Sequence, residues 1–157
     1  MTQLAETTIP NALRCRAVVL SCMDYRFVEP LQRLLGAQGL AGAFDLVAWP
    51  GGAVSLTTRD RTLVTGAMTM ACELHNPDEV ILVAHHDCGR LGGSARFAGR
   101  QAEIATLETA LTMAGEAVVD LLPDLPIQLI RLDHDGPVSL TDLARPTSRN
   151  HETGPGR

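Results

Sequence analysis

The chain has 157 residues, enough for about one domain with a single sizeable core. Hydrophobic residues make up 45% and charged residues 20%, ordinary for a soluble globular protein, while aromatics at 3% leave the core to Leu, Val, Ala, Ile and Met. A net charge of -5 argues against a nucleic-acid surface, which needs a basic stripe or patch, and no apolar run approaches the roughly 18–20 residues of a membrane helix.

In chain order, "MTQLAETTIPNALRCR" lacks the basic, apolar and small-residue regions of a secretory signal. A cytoplasmic location is therefore expected, where Cys15, Cys22, Cys72 and Cys88 stay reduced and serve as free thiols or metal ligands. Residues 1–14 are expected to form an N-terminal arm. "AVVLSC" (17–22) reads as a strand buried on both faces, followed by a short helix holding Pro30. "FDLVAW" (44–49) reads as a second strand stopped by "PGGA". A helix follows from about residue 55, with Ser55, Thr57 or Thr58 as candidate N-caps. Glu79 to His85 forms the third and strongest strand, and a long helix runs from about Gln101 to Leu121. "IQLIRLDHDGPVSL" reads as a fourth strand, a turn at Asp135–Gly136 and a short return strand near the C-terminus. Residues 144–157 carry no core-forming pattern and are expected to be a flexible tail.

Nearly continuous apolar strands alternating with helices predict an α/β fold, a single domain over 1–157 with a parallel sheet covered on both faces. Ligands of such sheets bind outside the carboxyl ends of the strands. The unusual residues fall there: Cys22 ends the first strand, Gly51 and Gly52 follow the second, and His85 to Cys88 end the third. Cys22, His85 and Cys88 form a Cys2His set of the kind that holds catalytic zinc with a fourth position open. No C-x-x-C pair supports a redox dithiol. Against this, a lone cysteine at a strand end is usually a small buried hydrophobe. It is the pairing of the two segments, one flanked by Asp24 and Arg26, that points to a metal.

"CMDYR" followed by a Gly-Gly loop, a helix and "HHDCG" resembles the β-class carbonic anhydrase family, which carries Cys-x-Asp-x-Arg on its first core strand and His-x-x-Cys-Gly on its third. The resemblance covers roughly residues 15–140. It implies a mainly parallel four-stranded sheet with helices on both faces. It also implies a homodimer or higher oligomer, Zn2+ on Cys22, His85 and Cys88, and a catalytic Asp24–Arg26 dyad. The implied reaction is reversible hydration of carbon dioxide to hydrogencarbonate by a zinc-bound hydroxide, since zinc lowers the pKa of its water toward about 7. Asp24 would accept a hydrogen bond from that water, and Arg26 would hold the carboxylate ionised. In some relatives the aspartate itself ligates zinc in an inactive state.

Gly51 and Gly52 allow backbone to approach a substrate closely, or simply make a strand-to-helix turn. His86 is a candidate proton shuttle with an ordinary pKa near neutrality, or else a surface or interface histidine. Three residues depart from the family pattern beside the site: Tyr25, Trp49 (with Pro50) and Arg90. Tyr25 and Trp49 are expected to narrow access or line a tunnel, and Arg90 to add a positive charge that retains an anion. These departures keep two alternatives open: a hydrolase of carbonyl sulfide or carbon disulfide, and a non-catalytic zinc- or anion-binding relative.

Overall fold

The computed structural model describes residues 13–144. The expected arm and tail lie outside the described residues except for residues 13, 14 and 144. Five strands form one sheet in the order β2-β1-β3-β4-β5. They are β1 (Ala17–Cys22), β2 (Phe44–Trp49), β3 (Glu79–His85), β4 (Ile127–Asp133) and β5 (Gly136–Ala144). The first four are mutually parallel, and β5 returns antiparallel to β4. Three helices complete the fold: α1 (Val28–Ala37), α2 (Arg61–His75) and α3 (Arg100–Leu121).

Strand residues alternate between two cores, as the period of two requires. Val18 and Leu20 of β1, Val80 and Leu82 of β3, and Ile127 and Leu129 of β4 pack with Val64 and Met68 of α2 and Leu107, Leu111 and Val118 of α3. Their neighbours Val19, Ile81, Val83, Ile130 and Leu132 pack on the other face with Phe27 and with Leu31 and Leu35 of α1. Both faces are thereby covered by helices, which is why these strands read as unbroken apolar runs.

The order of strands also places the site. From β1 the chain moves outward through α1 to β2, then returns across the other face through α2 to β3, on β1's opposite side. The connections diverge between β1 and β3, so a crevice opens at their carboxyl ends. Cys22 is the last residue of β1 and His85 the last of β3.

One element starts later than the sequence suggests. Residues Gly52–Thr57 form a 3-10 helix, and α2 begins only at Arg61. The hydroxyls expected to cap α2 donate backwards: Ser55 Oγ to the Gly52 carbonyl at 2.6 Å, Thr57 Oγ1 to Val54 at 2.8 Å and Thr58 Oγ1 to Ser55 at 2.8 Å, while Thr58 Oγ1 also accepts the Asp60 amide at 3.2 Å just ahead of the helix. Such local side-chain bonds compete with ordinary helix capping. They tighten this segment into three-residue turns beneath the strand ends.

Candidate metal centre

Cys22, His85 and Cys88 offer ligand atoms that all lie within 4.8 Å of one another. Among the described residues this is the one His/Cys/Asp/Glu group of three or more so disposed. His85 and Cys88 are 2% exposed, and Cys22 is half-buried. The His85 ring stacks on Phe27 with centroids 4.0 Å apart. His85 Nδ1 lies 2.7 Å from the His86 carbonyl and must carry the proton that it donates there. Nε2 is then the nitrogen with a free lone pair, and it is a buried polar atom without a hydrogen-bond partner. Burying such an atom unpaired is unfavourable.

The sulfurs complete the picture. The Cys22 thiol is held well below its ordinary value, chiefly by the proton shared from Cys88 and also by the Gly51 amide, against an opposing effect of burial. The Gly51 N–H donates to Cys22 Sγ at 3.3 Å. The same shared proton, with burial, pushes the Cys88 thiol up. One thiolate, one thiol that loses its proton on metal binding, and one orphaned imidazole nitrogen fit a borderline-soft divalent cation.

Asp24 and Arg26 stand next to this cluster. Arg26 grips the Asp24 carboxylate from two nitrogens, with Nε to Oδ1 at 3.0 Å and NH2 to Oδ2 at 2.7 Å. That grip holds the Asp24 carboxyl at about 2. The other side of the guanidinium reaches a residue that sequence reasoning missed. NH1 donates to Asp87 Oδ2 at 2.7 Å and NH2 to the Asp87 carbonyl at 3.0 Å. Asp87 has a left-handed backbone, φ +51°, and its Oδ1 accepts the Ser94 amide at 2.8 Å. Buried Glu103 was also missed: its Oε1 accepts the Asp87 amide at 2.6 Å and its Oε2 the Ser94 hydroxyl at 2.8 Å. The only sequence signal for Asp87 is its place inside "HHDC"; nothing local marks Glu103.

A cleft of about 740 Å³ opens over the cluster, lined by Cys22, Asp24, Tyr25, Arg26, Gly51 and Arg90 among others. The two glycines have different places. Gly51 lines this cleft, while Gly52 is buried beneath the strand ends, where a Cβ would come within 2.5 Å of the Cys22 nitrogen and 2.6 Å of the Val83 oxygen. Of the departing residues, Tyr25 is 84% exposed at the cleft's rim. Trp49 is turned away from the cleft and packs against the core, with its Nε1–H directed at Asp60 Oδ2 at 3.5 Å. Arg90 is not a free cation, since its NH2 donates to the same Asp60 oxygen at 3.1 Å. Asp60, at the N-terminal boundary of α2, thus accepts from both departing side chains rather than capping the helix.

His86 does not line this cleft. It is 9% exposed, donates from Nδ1 to the Leu132 carbonyl at 3.1 Å and stacks on His134 with centroids 3.4 Å apart. Burial pushes its pKa down. It faces separate cavities shared with Asp133 and His134.

The family described as "Putative carbonic anhydrase" matches residues 13–122, a stretch that includes all of Cys22, Asp24, Arg26, His85 and Cys88. An uncharacterized protein of Rickettsia conorii is 25% identical over 128 residues, covering 77% of this chain and 69% of the relative. One from Rickettsia bellii is 24% identical over 126 residues, covering 76% of this chain and 77% of the relative. Among solved structures, β-carbonic anhydrase isoform I from Trichomonas vaginalis is similar with a TM-score of 0.56 and 13% identity, over 90% of this chain and 88% of that one. The last likeness is one of fold.

Proposed function

The chain belongs to the family described as putative carbonic anhydrases and has the fold of a β-carbonic anhydrase, and from that premise we propose that it catalyses the reversible hydration of carbon dioxide with zinc held by Cys22, His85 and Cys88. The observation that carries this reading is the orphaned His85 Nε2 grouped with two thiols, beside an Asp24–Arg26 pair that shares a cleft with Cys22. Zinc in such a ligand set supplies Lewis acidity that brings the pKa of a water toward about 7.

The remaining chemistry belongs to the chain. The His86 carbonyl fixes the His85 tautomer so that Nε2 presents its lone pair. Asp24 stays ionised at neutral pH because its carboxyl is held at about 2 by Arg26. A base that weak takes little proton near pH 7, since an effective general base has a pKa close to the working pH. Asp24 therefore orients the attacking water by accepting a hydrogen bond, and Arg26 keeps the accepting oxygens aimed. Carbon dioxide enters beside Gly51, and the released proton has a path through the open cleft to solvent; His86 stands outside that lining, in a neighbouring pocket that shares Arg26 with it. A narrowed entrance would favour carbonyl sulfide or carbon disulfide, but Tyr25 is exposed and Trp49 points into the core, so neither side chain closes the cleft of the protomer. The functional unit in this reading is a homodimer.

The test is stopped-flow carbon dioxide hydration on protein of measured zinc content, beside Cys22→Ser. We expect activity in the zinc-loaded chain and a loss of more than about 100-fold, with loss of zinc, in the variant. Full zinc occupancy without hydration would overturn the assignment.

A further inference from the structure

We propose that Glu103 is a positioning residue for the Asp24–Arg26 pair, acting through Asp87. The inference rests on the functional reading above, in which that pair orients the reacting water. Arg26 divides its donors between two carboxylates: Nε and NH2 serve Asp24, NH1 serves Asp87 Oδ2, and NH2 also reaches the Asp87 carbonyl. The direction in which Arg26 holds Asp24 is therefore set by where Asp87 stands. Asp87 occupies a left-handed backbone conformation, uncommon outside glycine though tolerated by aspartate, so its exact placement is set by what constrains the loop.

The constraint comes from α3. Glu103 lies in the first turn of that helix and is 5% exposed. Both its oxygens are directed to the 87–94 loop, one to the Asp87 amide at 2.6 Å and the other to the Ser94 hydroxyl at 2.8 Å. The Ser94 amide in turn donates to Asp87 Oδ1 at 2.8 Å, closing a ring of three residues. A buried carboxylate is expensive unless donors meet it, and an apolar residue would serve the packing of α3 without that cost. What an apolar residue lacks is a grip on Asp87. Glu103 does not line the cleft, so its influence on the reaction passes through Asp87 and Arg26.

The conservative and the deleting substitution separate this role from simple stability. In Glu103→Gln the amide oxygen still accepts from the Asp87 N–H and the amide nitrogen can donate to Ser94 Oγ. Glu103→Ala loses both contacts. Ser94→Ala removes only the hydroxyl contact and serves as a milder variant should Glu103→Ala not fold. Three readouts are taken: zinc affinity by chelator competition, kcat and KM for hydration, and the NMR signal of the Arg26 Nε–H, assigned by comparison with Arg26→Lys. We expect Glu103→Gln to match the parent within about twofold. Glu103→Ala should lower kcat about 10- to 100-fold with KM little changed, abolish the slowly exchanging Arg26 signal, and leave zinc affinity nearly intact. Ser94→Ala should move kcat and the signal the same way by less. Unchanged kcat with an intact Arg26 signal would overturn the proposal, as would zinc loss in proportion to activity, which marks a structural tether. If the zinc-loaded parent hydrates no carbon dioxide, the functional reading fails, while the Arg26 signal across the variants still decides the positioning role.

Discussion

Arg26 joins the end of β1 to the loop after β3, and its two partners titrate accordingly. The Asp24 carboxyl is held at about 2 chiefly by the Arg26 side chain, and the Asp87 carboxyl at about 2 first by the Ser94 amide and then by Arg26. Both folded values lie below the unfolded carboxylate value of about 3.9. The stabilisation they contribute is therefore complete above that value and is lost as pH falls toward about 2. Thermal melts of metal-free protein should show the parent losing Tm more steeply than Arg26→Ala between about pH 4 and pH 2. Parallel curves for the two proteins would mean that the clamp does not stabilise the fold. Asp24 and Asp87 are neighbours through one guanidinium, so their separate deletions should not add.

Among the elements, the 3-10 segment Gly52–Thr57 ties the strand ends to α2 and α3. Gly52 has φ +53°, and its missing side chain leaves room for the backbone of Ser21, Cys22 and Val83. Gly52→Ala meets backbone atoms that cannot yield without moving β1 or β3, and it also strains a left-handed conformation. We expect a loss of about 2–4 kcal/mol in urea unfolding. Weaker metal binding should accompany it, because the obstruction falls on the Cys22 amide. A loss below about 1 kcal/mol would show that the loop relaxes away from the strands. Gly51 differs, since its Cβ would meet the Arg90 side chain, which can swing at the expense of its pair with Asp60.

At the scale of the molecule, α2 covers one face of the sheet yet leaves a second apolar stripe outside. Leu63, Met70 and Leu74 are 64%, 61% and 56% exposed and share one side of the helix by their spacing. Exposed apolar groups gathered in this way mark an association surface. We expect light scattering to give twice the chain mass for the parent and the single chain mass for Met70→Glu/Leu74→Glu. A monomeric parent would remove the dimer from the functional reading. Among the described residues no helix is long and apolar enough to cross a membrane.

The strands were legible because a buried parallel strand is a local signal: the runs at 17–22, 44–49 and 79–85 coincide with β1, β2 and β3. The grouping of Cys22, His85 and Cys88 was legible for a related reason, since Cys22 and His85 end those runs and Cys88 follows closely, where an α/β sheet binds its ligands. Helix α2 was placed too early because hydroxyl side chains suit both caps and backward bonds, and only the packing beneath the strand ends selects between them. The outward or inward aim of Trp49 was equally undetermined by its neighbours in sequence. Asp87 and Glu103 lie 16 residues apart, and Asp87 and Arg26 lie 61 apart. A buried polar contact has no periodicity of its own; it exists only where the folded sheet and α3 bring donor and acceptor together. Sequence alone determined the sheet and the chemistry available at its rim. Tertiary structure decided which charges meet there, because that depends on the convergence of strand ends that are distant in the chain.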